Sequence, residues 1–156
     1  MSRLALIAAL LLIAGGASAQ ERQVRLAPTD IQNLTQGGAT AGTSGVSGIR
    51  TTVLYGDPTK AGPYTIALKV PANTRIAAHS HRDDRTAIVV GGVWRFGYGR
   101  KADEALVKVL PPGSFYSEPA GIEHFAMTGP EGAVVYISGY GPTSTDYVEP
   151  ADAPKP

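Results

Sequence analysis

All three histidines of this chain fall in two short stretches, Ala78-His79-Ser80-His81 and Gly121-Ile122-Glu123-His124. Imidazole is the commonest side-chain metal ligand and the side chain that titrates closest to neutral pH. His79 and His81 flank a single residue, so on a β-strand both rings project to one face. His124 comes from far downstream, just past a Pro119-Ala120-Gly121 turn. Imidazoles converging from two such points make a competent site for a divalent ion, with positions left open for substrate or water. Such a donor set suits Fe, Zn, Ni or Cu and, less well, Mn. Arg85 stands close behind the first pair. Its guanidinium has no lone pair to give a metal and stays protonated. Its forked donors suit a carboxylate instead, which makes Arg85 the candidate substrate-binding residue. Asp83 and Asp84 are near enough in sequence to neutralise it. Glu123 and Tyr98 are further candidates for acid–base work.

The rest of the chain supplies strands to position these groups. Thr51-Thr52-Val53-Leu54-Tyr55 is rich in β-formers and stops at the turn signal Gly56-Asp57-Pro58. Tyr64, Ile66, Leu68 and Val70 then alternate with Thr65, Ala67 and Lys69, the period of a strand with one buried face. Arg75 to His79 carries the chain into the first histidine pair. A run from Thr86 to Val90 ends at Gly91-Gly92. The next strand, Val93 to Tyr98, sets Trp94, Phe96 and Tyr98 on one face, a row read as core packing. Leu106 to Leu110, Phe115-Tyr116, His124 to Met127, Ala133 to Ile137 and a last short strand at Tyr147-Val148 complete the set. The 19 glycines and 12 prolines punctuate these runs, and no stretch past the N-terminal leader shows a helical period. Short strands at close spacing predict an all-β fold, a small antiparallel barrel or sandwich.

The 156 residues are enough for one domain. Arg3, the apolar run Leu4 to Ala14 and the small residues Ala17-Ser18-Ala19 read as a cleaved secretory signal peptide over 1–19. The expected address is periplasmic or secreted. Residues 20–50, glycine-rich toward their end, are expected to form a flexible or loosely attached lead-in without chemistry. Residues 51–148 form the domain and 149–156 a Pro-rich tail. With no cysteine there is no disulfide, so the core alone must hold the fold. Removing Arg3 with the leader leaves basic and acidic side chains equal in number. That balance argues against a nucleic-acid partner and against a membrane surface once the leader is gone. A small-molecule ligand is the expected partner.

Read together, the two histidine stretches resemble the paired motifs of the cupin superfamily, in particular its small exported bacterial single-domain proteins. The first motif runs G-x5-H-x-H-x3,4-E-x6-G and here reads His79-x-His81-x3-Arg85-x6-Gly92. The second runs G-x5-P-x-G-x2-H-x3-N and here reads Gly113-x5-Pro119-x-Gly121-x2-His124-x3-Thr128. The resemblance spans roughly Thr51 to Val148. It implies a jelly-roll β-barrel, a divalent metal on His79, His81 and His124, and a homodimer. Three departures are plain: Asn73 replaces the leading glycine, Thr128 the final asparagine, and Arg85 the glutamate ligand. The third leaves three functional readings open. The chain is a metal-dependent oxygenase or isomerase, a metal-free binding or sensing module with Arg85 as an anion clamp, or a non-catalytic structural cupin with a degenerate site.

Overall fold

The computed structural model describes residues 23–38 and 41–155, so the leader expected at 1–19 lies outside the described residues. Among the described residues eight strands carry the fold: β1 (Arg50–Tyr55), β2 (Gly62–Val70), β3 (Arg75–Ser80), β4 (Arg85–Tyr98), β5 (Lys108–Leu110), β6 (Phe115–Glu118), β7 (His124–Gly141) and β8 (Asp146–Tyr147). All their pairings are antiparallel. One path runs β1-β2-β7-β3-β8, and β4 adds β5 and β6 while also pairing with β7. This is the expected all-β jelly-roll architecture.

β4 and β7 are long because each serves both halves of the barrel. The N-terminal part of β4 pairs Thr86 with Ser138 and Val89 with Val135, whereas its C-terminal part pairs Trp94 with Thr128 and Tyr98 with His124. Gly91-Gly92 is therefore a bend inside one strand, where the sequence suggested a break between two. The register shifts on either side of that pair are bulges, which turn a strand without ending it. Only glycine suits position 92. Its φ is +64°, and a Cβ there would lie 2.2 Å from the Gly132 carbonyl oxygen. Asn73, at the place of the motif's leading glycine, takes the left-handed conformation that position needs, with φ +53°.

Alternation along β2 works as expected. Tyr64, Ile66, Leu68 and Val70 are buried, and they meet Val89, Trp94, Phe96, Leu110, Tyr116, Val135 and Ile137 in one core. Trp94 and Phe96 are buried, whereas Tyr98, nearer the barrel end on the same face, is half exposed.

The described part of the lead-in carries structure of its own. It contains a short helix, α1 (Pro28–Gln32), and Gly37 bridges to Thr51 at the edge of β1. Ile49 is buried in the core, and Gly42, Thr43 and Ser44 are buried too. Gly42 lets the segment approach the barrel closely, since a Cβ there would lie 2.4 Å from Thr143 Cγ2. The core assignment predicts that Ile66→Ala lowers unfolding stability by about 2–5 kcal/mol. Val109→Ala on the exposed side of β5 should stay within about 0.5 kcal/mol. Denaturant unfolding of both variants checks the pair.

Candidate functional site

The topology places the third histidine directly opposite the first. His79 near the end of β3 is the register partner of His124 at the start of β7. His81 follows β3, and its carbonyl accepts from Gly121 N at 2.8 Å, tying the first motif to the second. The metal-capable atoms of His79, His81 and His124 all lie within 4.8 Å of one another. In each ring Nδ1 faces a backbone carbonyl: His79 on Ala77 at 2.7 Å, His81 on Ser144 at 2.5 Å and His124 on Ile122 at 3.0 Å. A carbonyl only accepts, so each Nδ1 carries the proton and each Nε2 presents a lone pair. Nε2 of His124 is buried and has no hydrogen-bond partner.

Arg85 lies in the same chamber. Its Nε donates to Glu118 Oε2 at 2.6 Å, and its Nη2 also pairs with that carboxylate. Nη1 donates to the Gly42 carbonyl at 2.6 Å, and Nη2 reaches His81 Nε2 at 2.7 Å. Glu118 is the residue that sequence reasoning did not single out. It precedes Pro119 in the second motif, and on β6 it is the register partner of Arg85 on β4. Its Oε2 lies 3.7 Å from His81 Nε2 and 3.9 Å from His124 Nε2. The only signal in the sequence was a carboxylate beside a motif residue. Its meaning depends on the β4–β6 register.

No protein-family model matches the sequence, and no curated protein matches it. Solved structures do match. A polyketide cyclase, RemF, from Streptomyces resistomycificus aligns at a TM-score of 0.67 with 16% identity, covering 85% of this chain and 89% of its own. A sugar phosphate isomerase of the cupin superfamily from Silicibacter pomeroyi aligns at 0.54 with 14% identity, covering 75% of each chain. An RmlC-like cupin from Shewanella frigidimarina aligns at 0.53 with 17% identity, covering 70% of this chain and 85% of its own. The chain has the cupin fold.

In this cupin-like barrel the place of the motif's carboxylate carries a guanidinium, Arg85, and Glu118 stands across from it on β6. Arg85 is thus already matched by Glu118, and its donors are engaged within the protein. Asp83 and Asp84 are placed otherwise. Asp83 accepts from the Tyr64 hydroxyl at 2.7 Å, and Asp84 accepts from Ala120 N at 2.9 Å, which holds the second-motif turn. Glu123 is partly exposed and pairs with Arg100, away from the histidine cluster. Tyr98 donates its hydroxyl to the Ser117 carbonyl at 2.7 Å and lines an outer groove with Phe96, Leu106, Phe115 and Tyr116. Phe96 both lines that groove and stacks on His124, with ring centroids 5.3 Å apart.

The donors fit a transition metal. Three neutral Nε2 atoms share one small volume, and the unpartnered nitrogen of His124 is what a ligand awaiting an ion looks like. An ion on all three nitrogens would require Arg85 to release His81 Nε2. Burial is the main reason all three imidazoles resist protonation. It brings His79 from 6.5 to about 4, aided by the charge of His124, and His81 to about 2, aided by Arg85. His124 is lowered by burial as well. Burial pushes the Glu118 carboxyl up, but Arg85, then His124 and His81, outweigh it and hold the group at about 2. Glu118 is therefore ionised at neutral pH.

These shifts fix a sign for acid stability. A group whose folded pKa lies below its unfolded value stabilises the fold at higher pH and loses that contribution as pH falls through the folded value. For metal-free protein the histidine loss begins below 6.5 and for His79 is complete near 4. Glu118 adds a second loss from 4.5 down to about 2. The thermal midpoint of the metal-free protein should fall steadily across the histidine window, and His79→Asn should flatten that fall. A midpoint independent of pH there contradicts the buried neutral imidazoles.

Proposed function

We propose that this protein is an exported cupin that holds a divalent transition metal on His79, His81 and His124 and uses it to bind or transform a small molecule. The observation that supports this reading is the set of three Nδ1 contacts to backbone carbonyls, which aim three Nε2 lone pairs into one buried volume. A bound ion would act as a Lewis acid on a substrate oxygen, with open positions left for that substrate. Glu118 brings an ionised carboxylate within reach of two of the ligands. Arg85 neutralises that carboxylate in the resting arrangement. On displacement from Glu118, it is the donor best suited to a substrate carboxylate.

Elemental analysis of the purified mature protein should find stoichiometric Fe, Zn, Ni, Cu or Mn. The combined His79→Ala, His81→Ala and His124→Ala variant should lose it; full metal content in that variant sinks the reading. Arg85→Glu removes a cation from the His81 lone pair and sets two carboxylates side by side. Its metal affinity should rise by about 10-fold or more, the scale on which groups around a ligand set tune affinity. Its thermal midpoint should depend on added metal.

A metal-free binding module is the second reading, and the Arg85 Nη2 contact to His81 Nε2 favours it. Metal found in Arg85→Glu and absent from the parent decides for that reading. Export predicts that the protein recovered outside the cytoplasm begins at Gln20, which intact-mass measurement checks.

A further inference from the structure

Among the described residues the groups of the histidine chamber are almost fully buried. His81 and His124 are 1% exposed, Arg85 3%, Glu118 4% and His79 5%. The segment Gly42-Thr43-Ser44, itself buried, packs beside this chamber. Three successive carbonyls of this strap are caught by side chains around the chamber mouth. Gly42 accepts from Arg85 Nη1 at 2.6 Å, Thr43 from the Thr145 hydroxyl at 2.9 Å and Ser44 from the Tyr147 hydroxyl at 2.5 Å. These captors border the ligands. Tyr147 packs on His79 with ring centroids 5.4 Å apart, and Ser144, beside Thr145, accepts from His81.

The strap is seated by side-chain contacts and not by a sheet ladder. Residues 42–44 belong to no strand, and the bridge that anchors the lead-in lies upstream, at Gly37 and Thr51. Gly42 is needed for the fit, since its φ is +76° and a Cβ would lie 2.4 Å from Thr143 Cγ2. Gly45 and Gly48, on the C-terminal side of the strap, also have positive φ, a conformation that glycine adopts at little cost.

We propose that Gly42-Thr43-Ser44 is an autoinhibitory plug latched by Arg85, and that access to the histidines requires its release. One planar guanidinium holds both the Gly42 carbonyl and the His81 lone pair. A group that takes His81 Nε2 has to displace Nη2, and the rigid fork carries Nη1 off Gly42 with it. Loading the site and loosening the plug are therefore one event. The coupling rests on the metal reading above; the plug itself does not.

Two substitutions outside the histidines loosen the strap selectively. Tyr147→Phe keeps the ring on His79 and deletes only the hydroxyl on Ser44. Gly42→Ala drives a methyl into Thr143. Histidine carbethoxylation by diethyl pyrocarbonate reads access to the imidazoles without any metal. In the full mature chain the reaction should be far slower than for free imidazole. It should quicken by about 10-fold in Tyr147→Phe, the effect of one lost hydrogen bond, and also rise in Gly42→Ala, whose methyl clashes with Thr143. Parent histidines that react like free imidazole, or variants that react no faster than the parent, overturn the plug. Stopped-flow uptake of Co2+ tests the coupling. In the parent the rate should reach a ceiling as Co2+ is raised, set by plug opening, and both variants should lift that ceiling. A rate that stays proportional to Co2+ and is equal in all three proteins overturns the coupling while leaving the metal site standing. Absence of Co2+ binding in all three sinks the metal reading and the coupling with it, and the carbethoxylation rates alone then judge the plug.

Discussion

The buried Arg85–Glu118 pair is the constraint around which the barrel interior is arranged. Two ions taken out of water in this way are held only because each satisfies the other and both find further partners. Removing one side of such a pair generally costs about 3–5 kcal/mol, since it strands a buried charge. Here the pair also sets positions. It joins β4 to β6 at a registered position, places a cation against His81 and gives the lead-in an anchor at Gly42. Three parts of the chain that are distant in sequence meet on one guanidinium.

Around this pair the histidines are oriented by the backbone. Carbonyls of Ala77, Ile122 and Ser144 fix which nitrogen of each ring carries the proton, and two of the three come from within two residues of the histidine they orient. Local chain geometry thus supplies the outer contacts that metal-ligating imidazoles need. The inner side is contested. Arg85 and an ion compete for the same His81 lone pair, and Glu118 is shared between pairing Arg85 and facing two ligands. A site with the usual carboxylate at position 85 would lack this competition, because both charge partners would favour the ion.

That competition connects the chemistry to the lead-in. The jelly roll brings the N-terminal segment and β8 to the end of the barrel where the ligands sit. In this protein both make contacts beside the ligands, Gly42 on Arg85 and Tyr147 on His79. The neighbouring solved structures give the barrel its cupin fold, and the Arg85–Glu118 pair is what stands at the motif's carboxylate position here.

Much of the architecture was legible in the residues themselves. Period-two alternation in β2, turn signals at Gly56-Asp57-Pro58 and Pro119-Ala120-Gly121, and the i, i+2 spacing of His79 and His81 are local features, and local geometry acts on them directly. The motif spacing also brought His124 to the same site. Two things depended on tertiary structure. Glu118 joined the site only through the β4–β6 register, because a cross-strand neighbour leaves no fixed spacing in the sequence. The plug escaped notice because glycine-rich composition signals backbone freedom, and the same freedom permits close packing as readily as disorder. The sequence by itself therefore determined the barrel and the three imidazoles. Tertiary structure decided which charge neutralises Arg85 and what covers the chamber, since both rest on contacts between segments far apart in the chain.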